Sequence, residues 1–174
     1  MSLVAISVIG NDRPGIVAGV TRVLYESGCN LEDVNSTILR GHFAMTLIVR
    51  PPSEVTSDDL EERLSTTAEA LDLVIAARTV SEADAGFPAP THMVSVYGAD
   101  QPGIVSRVAD ILATGGGNIT DLSSRVIGEA ERPVYALMME VAISAPDDVL
   151  EALETLKREM QVDVTVHPIQ ADVL

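Results

Sequence analysis

The chain has 174 residues, 47% hydrophobic and 21% charged, a balance that fits one or two small globular domains and excludes a disordered chain. Its net charge of −15 repels phosphate backbones and anionic lipid, which argues against direct nucleic-acid binding and against attachment to a membrane surface. The one cysteine, Cys29, rules out an intrachain disulfide and argues against a cysteine-based metal site.

Aromatic residues make up 3% of the chain and Trp is absent, so the core must be aliphatic. The chain opens on an apolar stretch, Leu3 to Ile9, with no basic segment before it, which is too short for a signal sequence. No run approaches the ~18 apolar residues of a membrane helix. The expected location is the cytoplasm.

In chain order, Leu3 to Ile9 has strand length and an apolar character that suggests burial on both faces. Pro14 suits the first turn of a helix. Ile16, Val17, Val20, Val23 and Leu24 follow at helical spacing, and Gly28 is a plausible terminator. Leu31 to Leu39 is the most polar strand candidate and belongs at an edge. Gly41-His42 is a turn, and Phe43 to Val49 is a second apolar strand. Ser57 to Leu71 reads as an acidic amphipathic helix with Leu60, Leu64, Ala68 and Leu71 on one side. Leu73 to Val80 is the last strand of this half.

The order then repeats. Gly10-Asn11-Asp12-Arg13-Pro14-Gly15-Ile16-Val17 aligns with Gly98-Ala99-Asp100-Gln101-Pro102-Gly103-Ile104-Val105, at an offset of 88 residues. The match continues without gaps to Ser36 and Ser124. It then slips by four, so that Phe43-Ala44 meets Tyr135-Ala136. The second copy therefore carries a longer loop, Gly128 to Pro133. Its expected strands are Met93–Tyr97, Ile119–Ile127, Val134–Ile143 and Val162–Val166, and its helices Pro102–Ala113 and Pro146–Met160. Residues 1–80 form the first domain, 81–91 a Pro- and Ala-rich linker, and 92–174 the second domain. Each half is a βαββαβ unit, an α+β arrangement with an antiparallel sheet and both helices on one face.

The strand-to-helix turn, Gly10–Gly15 and Gly98–Gly103, carries the functional signal. Glycine allows close backbone approach to a ligand, and N–H groups at a helix start favour an anion such as an amino acid's carboxylate. Asp12 and Asp100 offer acceptors for an ammonium, and Asn30 and Asn118, at the start of the second strand, offer amides. The plainer reading is that the aspartates cap the helix and Pro-Gly only makes a turn.

The Asp-x-Pro-Gly-Ile-Val turn, the apolar helix and then Gly-x-Asn-[Leu/Ile]-x-Asp resemble ACT domains, twice over and across nearly the whole chain. Tandem chains of about this length without an attached enzyme resemble the glycine cleavage system transcriptional repressor family. The resemblance implies ferredoxin-like modules paired side by side into one extended antiparallel sheet, with a small ligand bound at a module interface. The ligand-binding residues it implies are Asn11, Asp12, Arg13, Pro14, Gly15 and Asn30 in the first copy. In the second they are Ala99, Asp100, Gln101, Gly103 and Asn118. Ala99 and Gln101 replace Asn11 and Arg13, so the two sites are expected to be unequal.

Other groups read as structural. Cys29 has no histidine near it in sequence to activate it. His42, His92 and His167 are scattered, where a metal needs clustered ligands. Gly115-Gly116-Gly117 follows a helix and reads as its cap and turn. Asp58-Asp59 and Asp147-Asp148 sit where a helix start favours negative charge. Met138 and Met139 fall in a predicted central strand as core.

The expected function is therefore regulatory and non-catalytic, with no cofactor. The chain would sense an amino acid such as glycine or serine and act through a partner protein in glycine-cleavage or one-carbon transcriptional control. A homodimer is compatible with this. The alternative is a protein-interaction module, or the detached regulatory subunit of an amino-acid metabolic enzyme, without ligand sensing of its own.

Overall fold

The computed structural model describes residues 2–81, 88–128 and 133–169. Strand β1 (Leu3–Asn11) alternates strictly over its first half, with Val4, Ile6 and Val8 fully buried. Helix α1 (Ile16–Glu26) follows and buries Ile16, Val20 and Leu24, a stripe at helical spacing. Next come β2 (Asn30–Leu39) and β3 (His42–Arg50), joined by Arg40-Gly41. Both turn residues have positive φ, 50° and 84°, as a two-residue hairpin turn of the primed type requires. Helix α2 (Ser57–Leu71) and β4 (Leu73–Val80) complete the first module.

The second module repeats the order with β5 (His92–Gly98), α3 (Ile104–Thr114), β6 (Asn118–Ile127), β7 (Val134–Ala142), α4 (Pro146–Met160) and β8 (Asp163–Pro168). The chain divides into two compact units between Phe87 and Pro88. Of the expected linker 81–91, residues 82–87 lie outside the described residues, as do residues 129–132 of the longer hairpin loop.

The strands form two four-stranded antiparallel sheets, in the orders β2-β3-β1-β4 and β6-β7-β5-β8. The ladders describe one four-stranded antiparallel sheet in each module, the βαββαβ arrangement expected from the sequence. The apolar strands β1 and β3 are central, and the polar β2 is an edge, as their composition predicts. In the first module the core joins Val4, Ile6, Val8, Leu47 and Val49 of the sheet to Val20 and Leu64 of the helices. One sheet face is thereby covered by both helices. The other face is open: Ile9 is 54% exposed and Val74 72%. The expected two-sided burial of β1 is not met within the module. Met139 is fully buried on the helix side, whereas its neighbour Met138 points to the open side and is 42% exposed, which corrects half of the core assignment for that pair.

The helix ends follow their sequences closely. Gly28, at φ 75°, lets Cys29 donate its backbone N–H to the Leu24 carbonyl at 3.0 Å while Gly28 donates to Tyr25 at 2.9 Å, a Schellman closure. Gly116 and Gly117 repeat it with Ala113 and Leu112, so the triple glycine is indeed a helix cap. Helix α2 begins with a reciprocal capping box: the Thr56 hydroxyl accepts from the Asp59 N–H at 3.2 Å, and the Asp59 carboxylate accepts from the Thr56 N–H at 2.8 Å. Hydrogen bonds from the Thr56 backbone and then its side chain hold the Asp59 carboxyl below the usual carboxylate range.

Two measurements follow from these contacts. A Cβ on Gly10 would lie 2.6 Å from Leu73 Cδ2 and 2.8 Å from the Asp72 carbonyl oxygen, so Gly10→Ala forces apart the paired ends of β1 and β4. We expect a loss of about 1–3 kcal/mol by urea unfolding, and unchanged stability would contradict this account. Thr56→Ala should cost about 1 kcal/mol at neutral pH. The depressed Asp59 pKa gives a contribution present above the unfolded value and lost as pH falls through the folded one. The Thr56→Ala deficit should therefore shrink in acid, and a deficit independent of pH would contradict the capping box.

Candidate functional site

The turn from β1 into α1 departs from the sequence expectation in an informative way. Pro14 is not in the helix. Gly15 is the N-cap residue, at φ 98° and ψ −8°, and the helix begins at Ile16. Proline followed by such a glycine fits the two central positions of a type II turn. The second module is nearly superimposable here, with Gly103 at φ 96° and ψ −7° before Ile104. In a left-handed conformation these glycines cannot continue a helix, which is why the helices start later than Pro14 and Pro102 suggest.

No side chain caps either helix, so Asp12 and Asp100 are not the caps that the plainer reading made them. The first turn of α1 and of α3 contains no acidic residue. The contrast within each module is sharp. Helix α2 has a capping box with Asp58 and Asp59, and α4 has Pro146 at its start with Asp147 and Asp148. Where α1 begins, the first intrahelical bond runs from the Gly19 N–H to the Gly15 carbonyl at 2.8 Å. The N–H groups of Ile16, Val17 and Ala18 precede it and have no partner within the helix. They sit behind an exposed turn, Asn11 to Gly15.

The glycines of the turn serve different ends. Gly15 has nothing within 4 Å of a notional Cβ and is required for its backbone angle alone. Gly10 and Gly98 are required for close packing on Leu73 and Val162, not for the approach of a ligand. The turn itself is tied to the β2–β3 hairpin, because the Asp12 N–H donates to the Gly41 carbonyl at 2.9 Å. That bond brings Arg40 and His42 beside Asn11, Asp12 and Arg13, a neighbourhood that linear reading missed.

The sheet register separates the remaining predicted residue from this turn. Asn11 pairs with His42, whereas Asn30 pairs with Arg50 at the other end of β3. Eight residue steps along β3 separate the two, about 26 Å. The turn and Asn30 of one module therefore do not meet. Asn30 is engaged locally: its amide donates to Glu32 Oε1 at 3.0 Å, which also accepts from Arg50 Nε at 3.0 Å. These two bonds hold the Glu32 carboxyl below its usual range. Glu32 is the extra residue of a β-bulge between Leu31 and Asp33, a feature without a sequence signature.

The second module differs. A bulge recurs between Ile119 and Asp121, but Asn118 pairs with Ala142, so no arginine stands where Arg50 does. Gln101 donates through Nε2 to the Met160 carbonyl at 2.7 Å and fastens its turn to the end of α4. Arg13, its counterpart, makes no side-chain hydrogen bond among the described residues. Ala99, Asp100 and Gly103 surround a bare helix start like that of α1 but present less polar chemistry. Cys29 is half-buried, and burial pushes its thiol up despite the nearby Arg63, which suits a structural thiol. No helix among the described residues is long and apolar enough to cross a membrane.

Comparison with known proteins agrees with this architecture. A UPF0237 protein of Methanopyrus kandleri is 43% identical over 72 residues, spanning 41% of this chain and 80% of its own. The glycine cleavage system transcriptional repressor of Escherichia coli K12 is 28% identical over 142 residues, 81% of this chain and 74% of that protein. A crystal structure of an unknown protein from Galdieria sulphuraria superposes with a TM-score of 0.82 at 25% identity, covering 98% of this chain and all (100%) of that one. The sequence profile of the ACT domain matches residues 2–78 and again 91–167. Both modules are thus accounted for, and the chain belongs to the ACT domain family.

Proposed function

We propose that the chain is a non-catalytic sensor that binds a free amino acid such as glycine or serine and acts through a partner protein. The observation that carries the reading is the bare start of α1. Each module places acidic residues in the first turn of one helix and leaves the other helix start with neither an acidic residue nor a side-chain cap, in the same left-handed glycine turn. An uncapped helix start favours an anion by about 0.3–1 kcal/mol, and up to ~2 when partly buried. The α-carboxylate of an amino acid supplies such an anion, and Asp12 stands ready to accept from its ammonium.

The distance between the turn and Asn30 favours a composite site. Asn30 can reach a ligand held at the turn only if it is contributed by a neighbouring module. The β2 edge is suited to such pairing: Leu31, Val34 and Ile38 lie opposite core residues of β3 and are 43%, 47% and 57% exposed. The other edge is obstructed, since the Ala77 N–H of β4 donates to the Glu61 carboxylate at 3.1 Å. Relatedness to glycine cleavage repressors supports a role in the control of glycine or one-carbon metabolism. The net charge of −15 favours action through a protein over direct contact with DNA.

Titration calorimetry with glycine and serine should reveal binding at the first module's turn. Converting that turn to the sequence of the second, by Asn11→Ala with Arg13→Gln, should weaken binding at least about tenfold, roughly 1.4 kcal/mol. Absence of binding at millimolar ligand would overturn the sensor reading for these two amino acids. A separate outcome is expected from Gln101→Ala, which removes a bond to a helix carbonyl. It should lower the stability of the second module by about 1 kcal/mol and leave ligand affinity unchanged. A loss of affinity instead would mean that the second turn also contributes to the site.

A further inference from the structure

The open face of the first sheet has the wrong composition for a surface that faces water. An antiparallel sheet solvated on one side normally alternates apolar with polar residues. Here every open-face position of β1 from Leu3 to Ile9, and of β3 from Ala44 to Ile48, is uncharged, in a chain that carries 37 charged residues (11 basic and 26 acidic). Ile9 and Val74 are 54% and 72% exposed on it. Charges lie only toward its margins.

The arrangement of those side chains is complementary to itself. The registers define three successive rows across the face, read from β4 through β1 and β3 to β2. They are Arg78–Ala5–Ile48–Asp33, then Ala76–Ser7–Thr46–Asn35, then Val74–Ile9–Ala44–Thr37. Two such faces can meet about a two-fold axis that lies between them and runs along the strands. That operation sets β4 of one copy against β2 of the other, and β1 against β3. Arg78 then faces Asp33 of the second copy, and the exchange is reciprocal. Ala5 faces Ile48 and Ile9 faces Ala44, small against large in both rows, while Ser7 faces Thr46 in the middle. Arg78 has no ion pair of its own among the described residues. Four strands about 4.8 Å apart and about 26 Å long give roughly 500 Å² per copy, so about 1,000 Å² in total, which reaches the size of a specific interface. On the second module the corresponding face carries Glu140 on the central strand β7, whose carboxylate would be buried by the same contact.

We propose that the open face of the first sheet is a self-docking surface, on which the same face of a second copy lies sheet against sheet. Its three rows contain no residue of the turn, Asn11 to Gly15. Sedimentation equilibrium of the full chain should show a dimer. Thr46→Arg, which sets a cation in the middle of the face, should leave monomers of unchanged secondary structure. Arg78→Glu and Asp33→Arg should each weaken dimerisation about tenfold, and the two together should restore it, because the swapped charges again face opposite partners. All three positions are on the exposed side of the sheet, so folding is preserved. A chain that stays monomeric at the highest soluble concentration overturns the proposal. So does a dimer indifferent to Thr46→Arg, or a double charge swap no better than the single variants.

Discussion

Each module depends on one backbone constraint, a glycine held in the left-handed region between the central strand and the helix that covers it. Gly15 and Gly103 differ by only two degrees in φ and one in ψ. An ordinary L-residue there would be strained by about 1–2 kcal/mol. The conformation ends the strand, points the helix back across the sheet and fixes where the helix starts. Because the start is fixed at Ile16, one residue after the glycine, neither Asp12 nor Pro14 lies where it could cap or begin the helix. The same constraint that closes the fold thus leaves three N–H groups without a partner inside the helix.

Most of the fold was legible because apolar periodicity and punctuation agreed. Val4, Ile6 and Val8 alternate, Ile16, Val20 and Leu24 repeat at helical spacing, and the Gly28 and Gly116 stops fall where a Schellman closure needs them. Duplication then tested each element against its copy. The errors lie where sequence carries no signal for conformation. Pro14 is as well placed for a helix start as for a type II turn, and only the φ of Gly15 decides. Gly10 resembles a ligand-contacting glycine, yet its need comes from Leu73, more than sixty residues away in sequence. The candidate site was half legible. The turn residues are together as read, but the partition of the turn and Asn30 to opposite ends of the sheet follows from register. The bulge at Glu32 and the hairpin bond from Asp12 to Gly41 also lie beyond linear reading.

The duplication preserved scaffold and relaxed chemistry. Both copies keep the glycine turn, the bulge in the edge strand and the glycine-closed helix. They part at the side chains around the turn. Gln101 donates to the carbonyl of Met160, while Arg13 makes no side-chain hydrogen bond among the described residues. Arg50 joins Asn30 through Glu32, while Asn118 faces Ala142. The two copies thus share one scaffold and differ in the side-chain bonds around the turn and the start of the edge strand.

The two proposed surfaces of the first module are not independent. Asn11 and His42 are directly paired and lie two residues beyond Ile9 and Ala44, so they continue the open face by one further row. Asn11 is also the first residue of the turn. The proposed ligand and the proposed docking face thus draw on adjoining rows that meet at Asn11. If ligand affinity differs between monomer and dimer by some factor, the ligand must shift dimerisation by that same factor for each site occupied. The coupling requires no movement of the core, since turn and face share a single pair of residues on adjacent central strands. Under the two proposals together, ligand concentration sets the assembly state.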